Sequence, residues 1–456
     1  MRLKIAGGRV FDPAGGLLGE ARDLYIEGGR IVPHLTEVDR VIQVQGQVVV
    51  AGGIEVRGRV AAYGLNYLRL RGGMSSPREL GEGYAALGYT HVHEPFLTLA
   101  TANYVHRELA AIPIVDTSAS LVLNLRDLDI RLRSPKRLAE VGQTLQCLLD
   151  LTRSLNLRVV EPYVRYRQDV YFHRTIKTEA ALEILAELAG TQNFIMTLEA
   201  SPEVLRASLP EAGRFHLAAL GPALVEDELV EAALAHLENG ASGDMGLMVP
   251  HHHSGRSETR VQIDLGWFRP LDLCPAPDKP AARRALRLAL QYRGPNLAFS
   301  GAGQVQTPAT VYPQLFSWLW DPGARRQDWG DEPGSRQYSL EEWVWATRVL
   351  PARLLGLTDR GHLGVGARAD VAVYDLPPEA PVSRWSRHLS RCRTLVKAGE
   401  VVIDDFILVK PDVARSAYYR RTEAEAGELL AELCQYHSFR PENLWVRDLG
   451  GPWVGV

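Results

Sequence analysis

The chain has 456 residues, with 51 basic side chains against 54 acidic ones and a formal charge of −3. That balance excludes a dedicated nucleic-acid binder, whose domain carries a strong basic excess, and a composition of 46 % apolar and 23 % charged residues excludes global disorder. No apolar run reaches the ~18 residues that a membrane span needs, so no membrane partner is expected.

The opening MRLKIAGGRVFDP has no apolar secretory core before its first charges and glycines, and Cys147, Cys274, Cys392 and Cys434 lie too far apart for a disulfide framework or a thiolate metal site. A reduced, cytoplasmic setting is the expectation. Basic charge is almost all arginine, with lysine only at positions 4, 136, 177, 279, 397 and 410. Two readings stay open: a genome rich in G and C, or a surface that grips anionic groups bidentately.

Residues 1–51 read as short strands broken by glycine turns (RLKIAGGRVFDP, DLYIEGGRIV, VIQVQGQVVV), and a matching set appears at 361–410 (GHLGVGARADVAVYDL, RTLVKAGEVVID). Neither set can bury both its faces alone, so the two are expected to pair into one composite β-sandwich domain. Between them, residues 52–360 alternate strand and helix. Apolar runs at 48–56, 90–95, 112–119, 157–164, 193–200, 214–221, 259–266 and 296–303 are separated by patterns such as TEAALEILAELAG and PAARRALRLALQYRG, with apolar residues three and four apart. Eight βα units over about 250 residues predict an α/β (β/α)₈ barrel, with reacting groups at the C-terminal ends of the strands. Trp-rich helices follow at 312–320 and 339–355, and a helical C-terminal tail occupies 411–456.

GYAALGYTHVHEP, HRELAAIPIVDTSASLVLN, TPATVYPQLFSWLW, TRVLPARLLGLTDRGHLGVGARADVAVYDL and QYHSFRPENLWV resemble the A-type subunits of formylmethanofuran dehydrogenase and of the bacterial formyltransferase/hydrolase complex, in the amidohydrolase superfamily. The similarity runs from about residue 2 to 450. It implies an amidohydrolase-type barrel in a multisubunit complex of one-carbon metabolism, acting on the formamide of a methanofuran- or methylofuran-type carrier. It also implies a metal centre that activates water.

This sequence departs from that pattern where the metal is held. The first-strand positions of two metal imidazoles read Arg57 and Arg59. The bridging lysine reads Arg158, the fifth-strand pair falls near Ile195 and Thr197, and the last aspartate reads Ala302. Only His216 is kept, its companion position being Ala218 or Ala219. Arginine has no lone pair for a cation and stays protonated, and guanidinium groups repel a divalent ion.

The resemblance therefore implies a catalytically degenerate scaffold subunit that needs no cofactor and partners with the other subunits. Arg57, Arg59 and Arg158 would hold carboxylates of the carrier, or alternatively form internal salt bridges with Glu55, Glu94 or Glu161. The alternative function is an active, zinc-dependent formamide hydrolase with relocated ligands. Its candidates are His91, His93 and His216, with His251–His253 as a loop cluster. His173 has no nearby partner. Gly52-Gly53 and Gly301-Ala302-Gly303 lack a dinucleotide fingerprint and suit close turns. The Trp-rich segment is either a subunit contact or late-helix packing, the latter expected for Trp318 and Trp343.

Overall fold

The computed structural model describes residues 1–62, 65–70, 74–124, 138–160, 178–192, 194–247, 262–263, 271–272, 279–301, 308–330, 334, 336–422, 424, 427–436, 440, 442, 445–446 and 452–456. The first fifty residues form β1 (Leu3–Asp12), β2 (Leu17–Glu27), β3 (Arg30–Val32), β4 (Arg40–Gln43) and β5 (Val48–Ala51). Eight parallel strands then build the barrel sheet. The first seven are β6 (Gly53–Glu55), β7 (Tyr89–Leu97), β8 (Asp116–Asn124), β9 (Asn156–Val160), β10 (Met196–Glu199), β11 (Phe215–Ala218) and β12 (Ser242–Asp244). A short antiparallel hairpin, β13 (Gln262–Ile263) and β14 (Leu271–Asp272), precedes the eighth, β15 (Leu297–Ala298).

The seventh barrel strand is thus β12 rather than residues 259–266, whose described part, Gln262–Ile263, belongs to the hairpin. The reason is visible in the side chains. Ser242-Gly243-Asp244 is buried throughout yet has no apolar residue, so it carries no periodic signal. The sequence Val261–Leu265 alternates as a strand should, but its described residues, Gln262 and Ile263, pair with Asp272 and Leu271.

Downstream strands β16 (Val371–Tyr374), β17 (Thr394–Lys397), β18 (Glu400–Asp404) and β19 (Ile407–Leu408) complete the first sheet, in the order β19-β18-β17-β16-β5-β1-β2-β3 with β4 beside β1. The two chain ends meet where β5 pairs antiparallel with β16, Val50 opposite Ala372. Both strands are short valine-rich runs buried on every residue, which suits a central strand. The tail is not wholly helical. Beside a helix at Glu428–Tyr436 it holds β20 (Ala417–Tyr419) and β21 (Trp453–Gly455), and β20 pairs parallel with β8, Tyr418 opposite Ser118. Strands of three residues are too short to show a period.

Between β15 and β6 the edge is covered by a π-helical turn, Trp345–Val349, a form that usually marks a specialised position. The Phe299 N–H donates to the Ala346 carbonyl at 2.8 Å. Buried Arg348 reaches the Ala51 carbonyl through Nε at 3.2 Å and Tyr374 Oη through Nη2 at 2.8 Å, and its guanidinium lies 3.9 Å from the Trp343 ring centroid. Trp318 and Trp343 are fully buried, so both pack against the barrel as expected. Gly52 and Gly53 lie at the start of β6, away from the mouth. A Cβ at Gly52 would stand 2.3 Å from Thr90 Oγ1, so these glycines serve close packing.

Beneath the barrel, Asp116 at the start of β8 takes Lys397 Nζ at 2.7 Å, Arg360 Nη1 at 2.8 Å and Arg368 Nη2 at 3.5 Å. Asp370 meets the same two arginines at 3.5 and 3.6 Å, and the Ser416 N–H donates to Asp116 Oδ1 at 2.7 Å. One buried ion cluster therefore joins barrel, mixed sheet and tail. Among the described residues no helix is long and apolar enough to cross a membrane. Cys147, Cys392 and Cys434 are free and buried; Cys274 lies outside the described residues.

Candidate functional site: an arginine-filled barrel mouth

The C-terminal strand ends converge because parallel strands of a barrel all open on one face. Arg57 and Arg59 follow β6, and Arg158 comes from β9. The structure brings all three to one place: their guanidinium carbons lie 5.9, 5.2 and 4.7 Å from the centroid of Phe96, within cation–π range. All three are buried, with exposures of 1, 4 and 2 %. Arg59 adopts φ +43°, the left-handed region that a non-glycine residue takes only when its surroundings fix it.

The acid that bridges Arg57 and Arg158 is Glu199, the last residue of β10. Its Oε1 accepts from Arg57 Nη2 at 3.1 Å and its Oε2 accepts from Arg158 Nη2. The acids considered from sequence are otherwise occupied. Glu55 Oε1 takes the Arg57 backbone N–H at 2.8 Å. Glu94 accepts the backbone N–H groups of Ala61, Ala62 and Phe96 at 2.7, 3.1 and 3.0 Å. Glu161 lies outside the described residues. Among the described residues, Nε and Nη1 of Arg57 and Nε of Arg158 are buried without a hydrogen-bond partner.

A second acid, Asp244, ends β12. It accepts the Ala219 N–H at 2.8 Å and the Ser300 hydroxyl, and lies 3.4 Å from His216 Nε2. Burial by itself would raise its carboxyl, but the His216 hydrogen bond and the Arg57 charge hold it below its ordinary value. Glu55 shows the opposite outcome: burial pushes its carboxyl up to about 8 against the hydrogen bond from the Arg57 N–H, with the charge of Asp244 adding to the rise. Burial lowers Arg57, and it lowers Arg158 further with the neighbouring charge of Arg57.

Glu199 and Asp244 were both missed from the sequence. The available signal was an acidic residue closing a barrel strand, in TLE and SGD.

The histidine candidates face serines. Ser118 Oγ lies 2.8 Å from both His91 Nε2 and His93 Nδ1, and Ser120 Oγ lies 2.7 Å from His93 Nε2. His216 Nδ1 meets Ser242 Oγ at 3.1 Å. Burial, with Arg158 and His216 nearby, takes His93 down to about 3, and burial lowers His91 well below its ordinary value. Both ring nitrogens of His93 and of His216 are thus engaged, and among the described residues no three His, Cys, Asp or Glu side chains are grouped to hold a metal ion. Ala302, His173 and His251–His253 lie outside the described residues. Three guanidinium groups at the strand ends offer no lone pair and repel a divalent cation, so this donor set does not fit a catalytic metal centre.

An amidohydrolase family model matches residues 307–403. The A-type subunit of the formyltransferase/hydrolase complex Fhc of Methylorubrum extorquens is 28 % identical, over 88 % of this chain and 89 % of that protein. Protein FwdA of Methanocaldococcus jannaschii is 23 % identical over 98 % of this chain and 97 % of its own length. Among solved structures, the FhcABCD formyltransferase/hydrolase complex of M. extorquens with methylofuran contains a chain that superposes with a TM-score of 0.81 at 23 % identity, covering 100 % of this chain and 99 % of that one. A triazine hydrolase variant aligns at a TM-score of 0.52 and 16 % identity, over 90 % of this chain and 96 % of that one; likenesses at such identities show the fold. Sequence similarity along nearly the whole chain, joined to a shared barrel fold, makes this protein similar to FwdA and to the A-type subunit of Fhc.

Proposed function

We propose that this chain is a catalytically degenerate barrel subunit of a formyltransferase/hydrolase-type complex, which holds neighbouring subunits and retains the carboxylated furan-amine carrier without hydrolysing it. Similarity to FwdA and to the A-type subunit of Fhc, along both chains, supports the complex. The observation that carries the degenerate pocket is the Arg57–Glu199–Arg158 bridge. It puts fixed cations and their counter-ion where hydrolysis would need a metal-bound water.

The same bridge supports carrier binding. Glu199 uses one nitrogen of each arginine, and the unpartnered Arg57 Nη1 is a further donor for a carboxylate, which guanidinium binds by charge-assisted hydrogen bonds. The relative of known structure was solved with methylofuran.

The test is made on the complex purified through a tag on this chain. The reading expects several different chains to co-purify, substoichiometric divalent metal in this subunit, and no formate release from a formylated amine by the chain alone with zinc added. In an Arg57→Ala, Arg59→Ala double variant, carrier content measured by mass spectrometry should fall. Stoichiometric zinc with formate turnover would overturn the degenerate pocket. Unchanged carrier content would overturn the binding role.

A further inference from the structure

Of the mouth acids Glu55, Glu94, Asp244 and Glu199, the first three are fastened by the backbone. They accept the N–H groups of Arg57, Ala61 and Ala219 at 2.8, 2.7 and 2.8 Å. Glu199 accepts no backbone N–H among the described residues. Its two oxygens take only side chains, Arg57 at 3.1 Å and Arg158. The donors that hold it are thus the same donors that a ligand's carboxylate would seek.

Solvent meets this bridge on its acidic side. Glu199 keeps 17 % of its side chain exposed, while Arg57 and Arg158 behind it keep 1 and 3 %. An anion arriving from solvent therefore finds Glu199 before either guanidinium group.

The backbone around Glu199 is fixed. Glu199 pairs in register with Ala218 in the β10–β11 ladder, and the Ala200 N–H donates to the Ala218 carbonyl at 2.9 Å. Ser201 then caps the short helix Pro202–Arg206 by accepting the Val204 N–H at 3.2 Å. Rotation of the side chain alone, a fast motion for a residue in contact with solvent, lets Glu199 leave. The two guanidinium groups meanwhile keep their places against Phe96, 5.9 and 4.7 Å from its centroid. Withdrawing Glu199 with nothing in return would strand buried cations at a high cost. Replacing one carboxylate by another keeps the charges balanced.

We propose that Glu199 is a resident stand-in for the carrier's carboxylate: binding exchanges the Glu199 carboxylate for one on the ligand, which then bridges Arg57 and Arg158. The exchange rests on carrier binding at these arginines. It adds the chemistry of the ligand group, a carboxylate, and a residue that sets affinity by competing for the same donors.

The experiment titrates the full-length chain with glutarate, a small dicarboxylate, by calorimetry. Glu199→Gln removes the competitor and should tighten glutarate binding about 10-fold, the worth of one charge-assisted hydrogen bond no longer contested. Glutarate should also raise the melting temperature of this variant by more than the parent's, because the ligand returns the missing counter-ion. Glu199→Asp keeps the charge, and so the fold, on a side chain too short to span both arginines as well. Its affinity should fall between the other two. Arg57→Ala should abolish binding in every background. Binding that requires Arg57 but is no tighter in Glu199→Gln or Glu199→Asp overturns the exchange and leaves carrier binding standing. No saturable binding by any of these chains, or binding that Arg57→Ala leaves unchanged, overturns carrier binding and the exchange with it.

Discussion

At the scale of single residues, the chemistry of the mouth turns on which acid meets the arginines. Glu199 spans Arg57 and Arg158 while keeping 17 % of its side chain exposed. Glu199→Gln keeps the shape and removes the charge, leaving two buried guanidinium groups without their paired carboxylate and with only longer-range charges such as that of Asp244. Such losses cost about 3–5 kcal/mol in dry sites, and the partial exposure of Glu199 brings this one down to about 2–3 kcal/mol. Urea unfolding of the variant should show that loss. A midpoint equal to the parent's would mean the bridge is idle.

Glu55 makes a pH prediction. Its carboxyl is pushed up to about 8 by burial from an ordinary 4.5, so the folded chain binds this proton more tightly than the unfolded chain. The associated stability is full below the ordinary value and is lost as pH rises through about 8. Glu55→Gln imitates the neutral form. Relative to the parent, the variant should gain stability as pH rises across that window and level off above it. A difference that does not vary with pH would reject burial as the cause.

At the scale of elements, the Lys397–Asp116 contact ties the mixed sheet to the barrel through one of only six lysines. Burial opposes the charge on Asp116, yet Arg360, Lys397 and Arg368 together keep its carboxyl below the ordinary value. Its stabilisation is therefore present above the ordinary 3.8 and is lost as pH falls. Lys397→Met removes one of three cations. The expected cost is about 2–3 kcal/mol near neutral pH, shrinking as the solution is made acidic. A cost that grows on acidification would contradict this account.

The elements also show where sequence patterns fail. Val48–Ala51 and Val371–Tyr374 are legible because they are valine-rich runs, VVVA and VAVY, without a charged residue. Ser242–Asp244 and Ala417–Tyr419 are not, since three residues cannot carry a period and their burial comes from neighbours distant in the chain.

At the scale of the molecule, the Asp116 cluster gathers residues from barrel, mixed sheet and tail: Arg368 Nη1 donates to Tyr418 Oη at 3.1 Å, and the Ala398 N–H donates to Asp370 at 2.8 Å. Barrel and mixed sheet should consequently melt together. Calorimetry of the intact chain is expected to give one transition. A chain ending at Lys410, which lacks Ser416 and Tyr418, should melt earlier or lose its single transition. Two separate transitions in the intact chain would show that the cluster does not couple the layers.

Read alone, the sequence determined the α/β barrel with strands contributed by both chain ends, and the arrival of arginine at positions 57, 59 and 158. These are local matters of flanking motif and residue chemistry. Only the tertiary structure decided what those arginines touch. Glu199 is 142 residues from Arg57 and 41 from Arg158, and Asp244 comes from a strand without an apolar residue. A barrel converts sequence distance into contact by opening every strand on one face. The partner of a buried charge is therefore fixed by closure of the sheet, which no local pattern records.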